Sequence, residues 1–332
     1  MRAREKLEKT DLTPFPAVSF RLMRTDAALI ASLERSNIHP LWDRYQRITP
    51  LHPRAKDAPM HWRWSELEPF TERAAKEVAI EDVERRALIL AHPAFGGATV
   101  TTQNLIGAFT VLEPGDKAVP HRHTAAAIRF STRAEGALTI VNGRRCEMKE
   151  GDLVLTPPMC WHGHINQSSR RTVWFDAANM PAICALDASF FEPGTRQDER
   201  FWEASDAGSE EYHFPGSETR RKVASLPPGP DGARTMRYTK NNGSVMPTLD
   251  LFFSKIEGKT RLKRATYNAI CLVVSGEGRS SVGEHTFQWS RHDVFTVPHW
   301  TWASHEARSA ELFIVTDRAI YERLDLLREE LG

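Results

Sequence analysis

Short runs of alternating apolar and polar residues fill most of the chain from about residue 85 onward. ALILAHP, AIRFSTRAEGALTIVNG and RTVWFDA come first, and TLDLFFSKI, AICLVVSGEG and AELFIVTD follow later in the chain. These runs are rich in β-branched and aromatic residues and are separated by Gly, Pro or Asp, as is typical of strands joined by turns. The pattern predicts a mainly β protein.

The segment 1–84 has a different pattern. RTDAALIASLERSN and SELEPFTERAAKEVAIEDVERR repeat apolar residues at helical spacing, and a stretch rich in proline and aromatic residues lies between them. We therefore predict a helical and extended N-terminal arm. EPGTRQDER and SLPPGPDGAR, within 186–232, predict a linker, and DRAIYERLDLLREELG predicts a C-terminal helix.

The β regions 85–185 and 233–332 are repeats of one another. HRHTAAAIRFSTRAEG and KRATYNAICLVVSGEG have equal length, share Ala-Ile at matched positions and end in Glu-Gly. DLVLTPPMCWHGH and DVFTVPHWTWASH carry Asp, Pro, Trp and His in the same register. Duplicated sets of short strands indicate two small antiparallel barrels or sandwiches.

Composition excludes several function classes. The net charge is +1 with 26% charged residues, so nothing indicates a nucleic-acid or membrane surface. No apolar run is long enough to span a bilayer, and the N-terminus has no apolar signal region. Four cysteines without CxxC spacing fit a reducing compartment, so we predict a cytoplasmic protein.

The first repeat contains a candidate metal site. Residues i and i+2 of a strand project to the same side, so His121 and His123 share a face. An isolated HxH also occurs as solvated or hydrogen-bonded residues at a strand end. Its spacing alone therefore leaves both interpretations open.

Two longer motifs resemble those of the cupin superfamily. The first is Gly-x5-His-x-His at 115–123, and the second is Gly-x5-Pro-x4-His-x3-Asn at 151–166. Cupins bind a metal inside a small barrel through two histidines of the first motif and one of the second. The resemblance therefore implies that His121, His123 and His162 are metal ligands.

An expected acid is missing from the first motif. Many cupins place a glutamate four or five residues after the second histidine, where this chain has Ala127 and Ile128. Three neutral imidazoles leave the charge of a divalent metal uncompensated and about half of an octahedral shell open. Such a site suits an anion that chelates through two oxygens, with a position left for O2. It fits non-haem Fe(II), although zinc, nickel and copper accept the same donors.

The second repeat lacks these ligands. The three positions fall on Lys263, Ala265 and Ala303, which cannot replace imidazoles. His305 is retained opposite His164, but one histidine does not make a metal site. We predict one metal-binding barrel and one metal-free structural barrel.

Stretches beyond the metal motifs resemble gentisate 1,2-dioxygenase and its relatives, the salicylate and 1-hydroxy-2-naphthoate dioxygenases. They are PLW at 40–42, WRW at 62–64, ERRALILAHP at 84–93, HRHTAAAIRF at 121–130, CWHGHIN at 160–166, LDASFFEP at 186–193 and VMPTLDLFF at 245–253. The resemblance implies a bicupin of two jelly-roll barrels that uses Fe(II) and O2. It implies cleavage of an aromatic ortho-hydroxy acid between the carboxyl- and hydroxyl-bearing carbons, and a homo-oligomer, a tetramer in this family.

Polar residues around the site have candidate roles, the first of them implied by the resemblance and the others by their positions in the sequence. Arg129 should bind the substrate carboxylate; the alternative is a salt bridge to a protein acid, because a buried arginine requires a partner. Arg85 is a second anion-binding candidate, with Arg86 as its competitor because adjacent strand residues face opposite ways. His164 is a candidate acid or base, or else a core histidine. Asp176 is a candidate contact that orients a histidine, or else a surface residue.

One stretch departs from the family. Where the family reads something like LYAGLQ or LWAGIQ, this chain has LIGAFT, which places Ile106 at the aromatic position and Thr110 at the glutamine. Both changes shrink a pocket-facing side chain. The alternative substrates are therefore a 5-substituted salicylate, such as a nitro- or halosalicylate, and 1-hydroxy-2-naphthoate.

Two other function classes are weighed against this interpretation. A cupin decarboxylase or isomerase is disfavoured because those enzymes commonly use the glutamate that is missing here. A non-catalytic bicupin that binds a small molecule is disfavoured because one repeat keeps all three ligands while the other has lost them.

Overall fold

The computed structural model describes residues 27–42 and 44–332. The described residues divide into two units, with the boundary between His52 and Pro53. The described part of the first unit contains helix α1, Ala27–Arg35, and helix α2, Tyr45–Ile48. The helix predicted over RTDAALIASLERSN is confirmed from Ala27 onward. Residues 1–26 of the predicted arm lie outside the described residues.

The second unit is mainly β, as predicted. Its helices are α3 Trp64–Glu77, α4 Met180–Ala185, α5 Glu199–Trp202, α6 Gly216–Ser225 and α7 Arg318–Arg323. Single 3₁₀ turns occur at Ile80–Asp82, Pro93–Phe95 and Ser209–Glu211. Helix α3 confirms the second helix predicted in the arm, and it ends before the charged EDVERR sequence.

The strands of the first barrel form two antiparallel sheets. In chain order the strands up to residue 214 are β1 His61–Trp62, β2 Arg86–Ile89, β3 Ile106–Leu112, β4 His121–His123, β5 Ala127–Arg133, β6 Ala137–Val141, β7 Arg144–Met148, β8 Leu153–Thr156, β9 His162–Asn166, β10 Thr172–Ala178, β11 Phe191–Pro193 and β12 His213–Phe214. One sheet has the order β12-β8-β5-β10-β3-β2 and the other β11-β4-β9-β6-β7. Side chains from both sheets, including Leu112, Trp174, Val141 and Met148, share one buried cluster between them.

The second barrel is a single bent sheet. Its strands are β13 Arg234–Arg237, β14 Thr239–Lys240, β15 Gly243–Ser244, β16 Asp250–Lys259, β17 Lys263–Ala265, β18 Ala269–Ser275, β19 Gly278–Val282, β20 His285–Trp289, β21 Val294–Val297, β22 Ala303–Thr316 and β23 Glu329–Leu331. The main path is β1-β21-β18-β22-β16-β13, and β14 and β15 form a separate hairpin. Strand β22 pairs with β16 along most of its length, with β18 near its C-terminal end, and with β17 and β19 near its N-terminal end.

The alternation along the strands builds a core between the two barrels. On β5, Phe130 faces this core, where its ring stacks on Phe313 of β22 at 4.2 Å. Its neighbour Arg129 therefore projects to the opposite face, into the first barrel. The same alternation places Phe109 of β3 and Phe253 of β16 in the shared core. One face of each central strand thus joins the barrels, and the other face lines a barrel interior.

Two predictions about connecting segments need correction. The segment 186–232, predicted as a linker, supplies β11 and β12, which pair with β4 and β8 of the first barrel. The predicted C-terminal helix ends at Arg323, because the chain turns at Asp325, with φ of 58°, and β23 then pairs with β17. Both segments satisfy backbone groups at sheet edges, which local composition does not reveal. The domain boundaries drawn from the sequence stay a prediction.

Candidate metal centre

Three histidines meet inside the first barrel. His121 and His123 lie on β4 and share a face, as their spacing predicts. His162 lies on β9, directly opposite His121 in the antiparallel pairing of these strands. One potential ligand atom from each residue lies within 4.8 Å of the others, and no other such group of His, Cys, Asp or Glu occurs in the part of the chain that the structure describes. Their exposures are 1%, 7% and 0%, respectively, so the cluster is shielded from water.

The same backbone hydrogen bond orients all three imidazoles. The bonds join His121 Nδ1 to Val119 O at 2.8 Å, His123 Nδ1 to Ala125 O at 2.8 Å, and His162 Nδ1 to Cys160 O at 2.9 Å. A carbonyl only accepts, so each Nδ1 carries the proton and each Nε2 keeps its lone pair. The Nε2 of His162 is buried and has no hydrogen-bond partner among the described residues. An orphaned acceptor of this kind, close to the ligand atoms of two further histidines, fits a metal ion.

The surroundings keep these imidazoles neutral. Burial, reinforced by the positive charge of Arg85, lowers the pKa of His121 to about 3. Burial and the charge of Arg129 lower the pKa of His123 to about 4. Burial also holds the pKa of His162 well below its usual value. Neutral imidazole is the form that binds metal, so the cluster is poised for ligation at neutral pH.

Arg129 is a buried cation on the same inner surface. It lies on β5, pairs across the sheet with Asp176, and is 1% exposed. Its Nε donates to His164 Nε2 at 3.1 Å, and its Nη1 donates to Thr156 Oγ1. Asp176 Oδ1 lies 3.6 Å from Nε, which is an ion pair without a hydrogen bond. Burial lowers the pKa of Arg129 to about 10, and Asp176 opposes this shift, so the guanidinium is charged at neutral pH.

His164 is fully engaged by its neighbours. Its Nε2 accepts from Arg129, so its Nδ1 carries the proton and donates to Thr139 Oγ1 at 2.9 Å. The residue is 1% exposed. Neither ring nitrogen is therefore free for the acid or base role predicted from its position next to His162. The arrangement instead orients the guanidinium of Arg129.

The choice between Arg85 and Arg86 follows from their partners. Arg86 is 7% exposed, and its guanidinium donates to Val78 O and to Asp116, neither of which belongs to the histidine cluster. Arg85 pairs with Glu84 at 3.2 Å, and its Nε is buried without a hydrogen-bond partner among the described residues. Its charge depresses the pKa of His121, so it lies beside the metal cluster. The structure thus brings Arg85, and not Arg86, to the site.

Comparison with known proteins places this geometry in a family. The model of the cupin domain matches residues 108–178. The chain is 32% identical to 5-aminosalicylate 1,2-dioxygenase of Comamonas sp. over 91% of its own length and 89% of that protein, and 30% identical to gentisate 1,2-dioxygenase of Streptomyces sp. over 92% and 95%. The chain belongs to the gentisate and salicylate 1,2-dioxygenase family.

The structural comparison agrees with this assignment. The crystal structure of salicylate 1,2-dioxygenase from Pseudoaminobacter salicylatoxidans, solved with gentisate, superposes with a TM-score of 0.84 at 29% identity, over 95% of this chain and 96% of that one. As a member of this family the chain is a ring-cleaving dioxygenase with the predicted bicupin fold. None of its described helices is both long and apolar enough to cross a membrane.

Two residues predicted from the family pattern have different contacts from those expected. Thr110 is 0% exposed and donates its hydroxyl proton to Asp176 Oδ2, so it holds a protein carboxylate. The other oxygen of Asp176 accepts from Trp174 Nε1 at 3.0 Å. Within the described chain no hydrogen bond of Asp176 reaches a histidine, so its orienting role stays a prediction. Ile106 shares the inner face of β3 with Thr110, at an even offset, and is half-buried.

Sequence reasoning missed the hydroxyls that organise the dioxygenase site. Thr139 lies opposite His164 in the pairing of β6 with β9, and Thr156 ends β8 beside Arg129. The internal repeat contains a signal for the first. Ser280 lies opposite His305 in the second barrel and hydrogen-bonds its Nδ1 at 2.8 Å. A hydroxyl–histidine pair is thus retained in both repeats, and aligning them beyond the metal ligands would have identified it.

Proposed function

We propose that this dioxygenase uses Fe(II) to cleave an ortho-hydroxybenzoate between the carbons that bear the carboxyl and hydroxyl groups. The observation that carries the proposal is the cluster of three buried, neutral imidazoles, one with an unpartnered Nε2, next to the buried Arg129 and the half-buried Arg85. His121, His123 and His162 would hold the metal. When bound, Fe(II) would supply the redox chemistry that reaction with O2 requires.

The charges around the site support an anionic, bidentate substrate. Arg129 and Arg85 are balanced by Asp176 and Glu84, whose charges act on both guanidinium groups. Glu84 lies 3.3 Å from His121 Nδ1, but it and Asp176 already face the two arginines, so a divalent metal held by three neutral ligands would add two positive charges to this balance. A substrate with adjacent carboxylate and phenolate oxygens would neutralise them, and burial strengthens that attraction because water is excluded.

Arg129 is proposed to anchor the substrate carboxylate. Two of its nitrogens are held by His164 and Thr156, and no described residue accepts a hydrogen bond from its Nη2. The guanidinium is held in place, and its Nη2 is available to donate a charge-assisted hydrogen bond to a carboxylate. His164, held by Thr139, is then a positioning residue, and Arg85 is proposed as a second cation for the same anion.

The proposed ring specificity follows from β3. Ile106 and Ala108 give the inner face of β3 an apolar surface, and the hydroxyl of Thr110 is already hydrogen-bonded to Asp176. The site thus offers space around the aromatic ring of the substrate and few side chains that could hydrogen-bond to a ring substituent. We favour a salicylate with a 5-substituent, such as nitro or halogen, beside gentisate itself; 5-aminosalicylate and 1-hydroxy-2-naphthoate are substrates named for relatives.

Oxygen uptake by the iron-loaded protein tests this function. The panel is gentisate, salicylate, 5-nitrosalicylate, 5-chlorosalicylate and 1-hydroxy-2-naphthoate, with 3-hydroxybenzoate as the control that cannot chelate through adjacent groups. We expect uptake coupled to loss of the ring absorbance for at least one ortho-hydroxy acid. The His162→Ala protein should lose most of its iron and activity. Iron binding without oxygen uptake on any acid of the panel would favour a non-catalytic binding bicupin.

Three coarser predictions accompany this proposal. Residues 85–185 and 233–332 are proposed as the metal-binding and metal-free domains. A homo-oligomer, tetrameric by family resemblance, and a cytoplasmic location are also proposed. Size-exclusion chromatography with light scattering tests the oligomer, and metal content per chain tests the assignment of a single metal-binding domain.

A further inference from the structure

The metal-free barrel encloses a cavity of about 660 Å³. Alternate residues of its strands line it, among them Phe252 and Ile256 of β16 and Leu312 and Ile314 of β22. The intervening residue Phe253 faces the core between the barrels. The cavity is therefore the interior of the second barrel, at the level where the first barrel holds its histidines. Its volume lies within the range of about 300–1,000 Å³ that small-molecule sites occupy.

Loss of the metal ligands explains why this space exists. Ala265 and Ala303 line the cavity at the positions that correspond to His123 and His162. At each of these two positions a methyl group stands in place of a methylene-imidazole side chain, so the volume of two imidazole rings is left unfilled. The other end of the barrel is closed by a packed cluster that includes Trp289 and Phe295. The cavity therefore has apolar strand residues along part of its wall, while charged side chains, among them Arg237, Arg318 and Glu329, line it together with Lys263 and His305.

His305 presents a hydrogen-bond donor to this cavity. Trp289 Nε1, which can only donate, bonds to Ser280 Oγ at 2.8 Å, and Ser280 Oγ lies 2.8 Å from His305 Nδ1. The serine hydroxyl can still donate its own proton to His305 Nδ1, and in that tautomer, which the site proposed below requires, the histidine proton is on Nε2. Burial lowers the pKa of His305 to about 4, so the ring is neutral. His305 lines the cavity, and no hydrogen bond from its Nε2 to a described residue is formed.

A cation lies next to this donor at the mouth. Lys263 pairs with Ala303 across the sheet, and His305 follows two residues later on the same face of β22. The two residues therefore occupy diagonal positions on neighbouring strands, about 7–8 Å apart. The Lys263 ammonium contacts Glu329 at 3.0 Å, but its side chain is 38% exposed, so it is free to turn toward a ligand.

We propose that the metal-free barrel is a second binding site, for a small monocarboxylate with an apolar body. Its carboxylate would lie between the Lys263 ammonium and the His305 Nε2–H, in the space vacated at Ala265 and Ala303. Its body would pack on the apolar strand residues of the cavity wall. This site needs neither the metal nor the substrate of the first barrel, so it stands independently of the proposed ring cleavage.

Isothermal titration calorimetry of the full-length protein with 3-phenylpropanoate tests the proposal, with 3-phenylpropan-1-ol as the neutral analogue. The parent should bind the carboxylate with a dissociation constant below about 1 mM. Lys263→Met, which keeps the apolar stem, should weaken carboxylate binding about tenfold and leave binding of the alcohol unchanged. Lys259→Met is the matched control, because Lys259 is exposed on β16 and lies outside the cavity. It should bind both compounds as the parent does.

Two further variants separate this site from the first barrel. Ala265→Leu fills the cavity and should abolish binding of both compounds, with an unchanged or raised melting temperature as proof of folding. Arg129→Ala, in the first barrel, should bind 3-phenylpropanoate normally. No binding by the parent below about 1 mM would overturn the proposal. So would binding that Arg129→Ala removes and Lys263→Met retains, because the compound would then lie in the metal barrel.

Discussion

Replacing Arg129 by alanine removes a guanidinium that is 1% exposed and hydrogen-bonds to His164 and Thr156. In the proposed function it also removes the anchor of the substrate carboxylate. Three effects follow together: the anion loses its partner, His164 loses the donor to its Nε2, and Asp176 loses its nearer cation. The first effect acts on substrate recognition, and the other two loosen the wall of the site.

The expected size of the effect comes from the lost charge-assisted hydrogen bond. Such a bond in a buried site contributes about 2–3 kcal/mol. This corresponds to a fall of about 30- to 150-fold in kcat/KM. Arg129→Lys should recover only part of the loss, because lysine keeps the charge but lacks the planar fork that reaches His164 and the carboxylate together.

Steady-state kinetics on the best substrate, normalised to iron content, measures this loss. Arg133→Ala is the matched control, because Arg133 lies on the same strand but is exposed and pairs with Glu68. It should stay within about twofold of the parent. Salicyl alcohol, which keeps the ortho oxygens without the carboxylate charge, should inhibit the parent and Arg129→Ala equally. If Arg129→Ala retains full iron and a kcat/KM within about twofold of the parent, Arg129 is not the anchor.

Three other substitutions test separate parts of the structure. Thr139→Val should raise KM about fivefold with a smaller change in kcat, because losing the hydroxyl acts through His164 on Arg129. Thr139→Ser should restore the parent KM, and equal kinetics for the Val and Ser variants would contradict this role. Ala303→His should leave metal content at one per chain, since Lys263 remains a non-ligand; a second metal per chain refutes this. Asp317→Ala should lower the free energy of unfolding by about 3 kcal/mol, because the 0% exposed carboxylate accepts three hydrogen bonds from two asparagines. Burial raises the pKa of Asp317 to about 6 from 3.8, so its contribution is complete below pH 3.8 and decreases as pH rises through about 6. Chemical denaturation should therefore show a larger penalty at pH 4 than at pH 7, and the reverse order would refute the assignment.

Local sequence patterns were sufficient for the strands and the ligand cluster. The alternation within HRH places His121 and His123 on one face of β4, and the alternation within β5 turns Arg129 away from its core-facing neighbour Phe130. The structure has all three inside the first barrel. Duplication of the strand pattern likewise predicted two barrels, and the absence of ligands at Ala265 and Ala303 distinguished them. These features depend on side-chain period, which is a property of a single strand.

Hydrogen-bond partners around the site required the tertiary structure. His164 is engaged by Thr139 and Arg129, and Thr110 by Asp176; each of these pairs joins residues 25 to 66 positions apart. No spacing rule predicts such contacts, because they depend on which strands become neighbours and on their register. The sequence therefore allowed an acid or base role for His164. The structure does not support that role, because both ring nitrogens are hydrogen-bonded to Arg129 and Thr139.

The sequence by itself determined that this is a mainly β, duplicated protein with three histidines available for one metal, and family motifs pointed to ring cleavage. Only the tertiary structure decided that Arg85 rather than Arg86 faces the histidines, that segment 186–232 adds strands to the first barrel, and that the second barrel is hollow. The physical reason is that periodicity encodes which face of an element is buried. Pairing across sheets and the volume left between side chains depend on the whole assembled barrel.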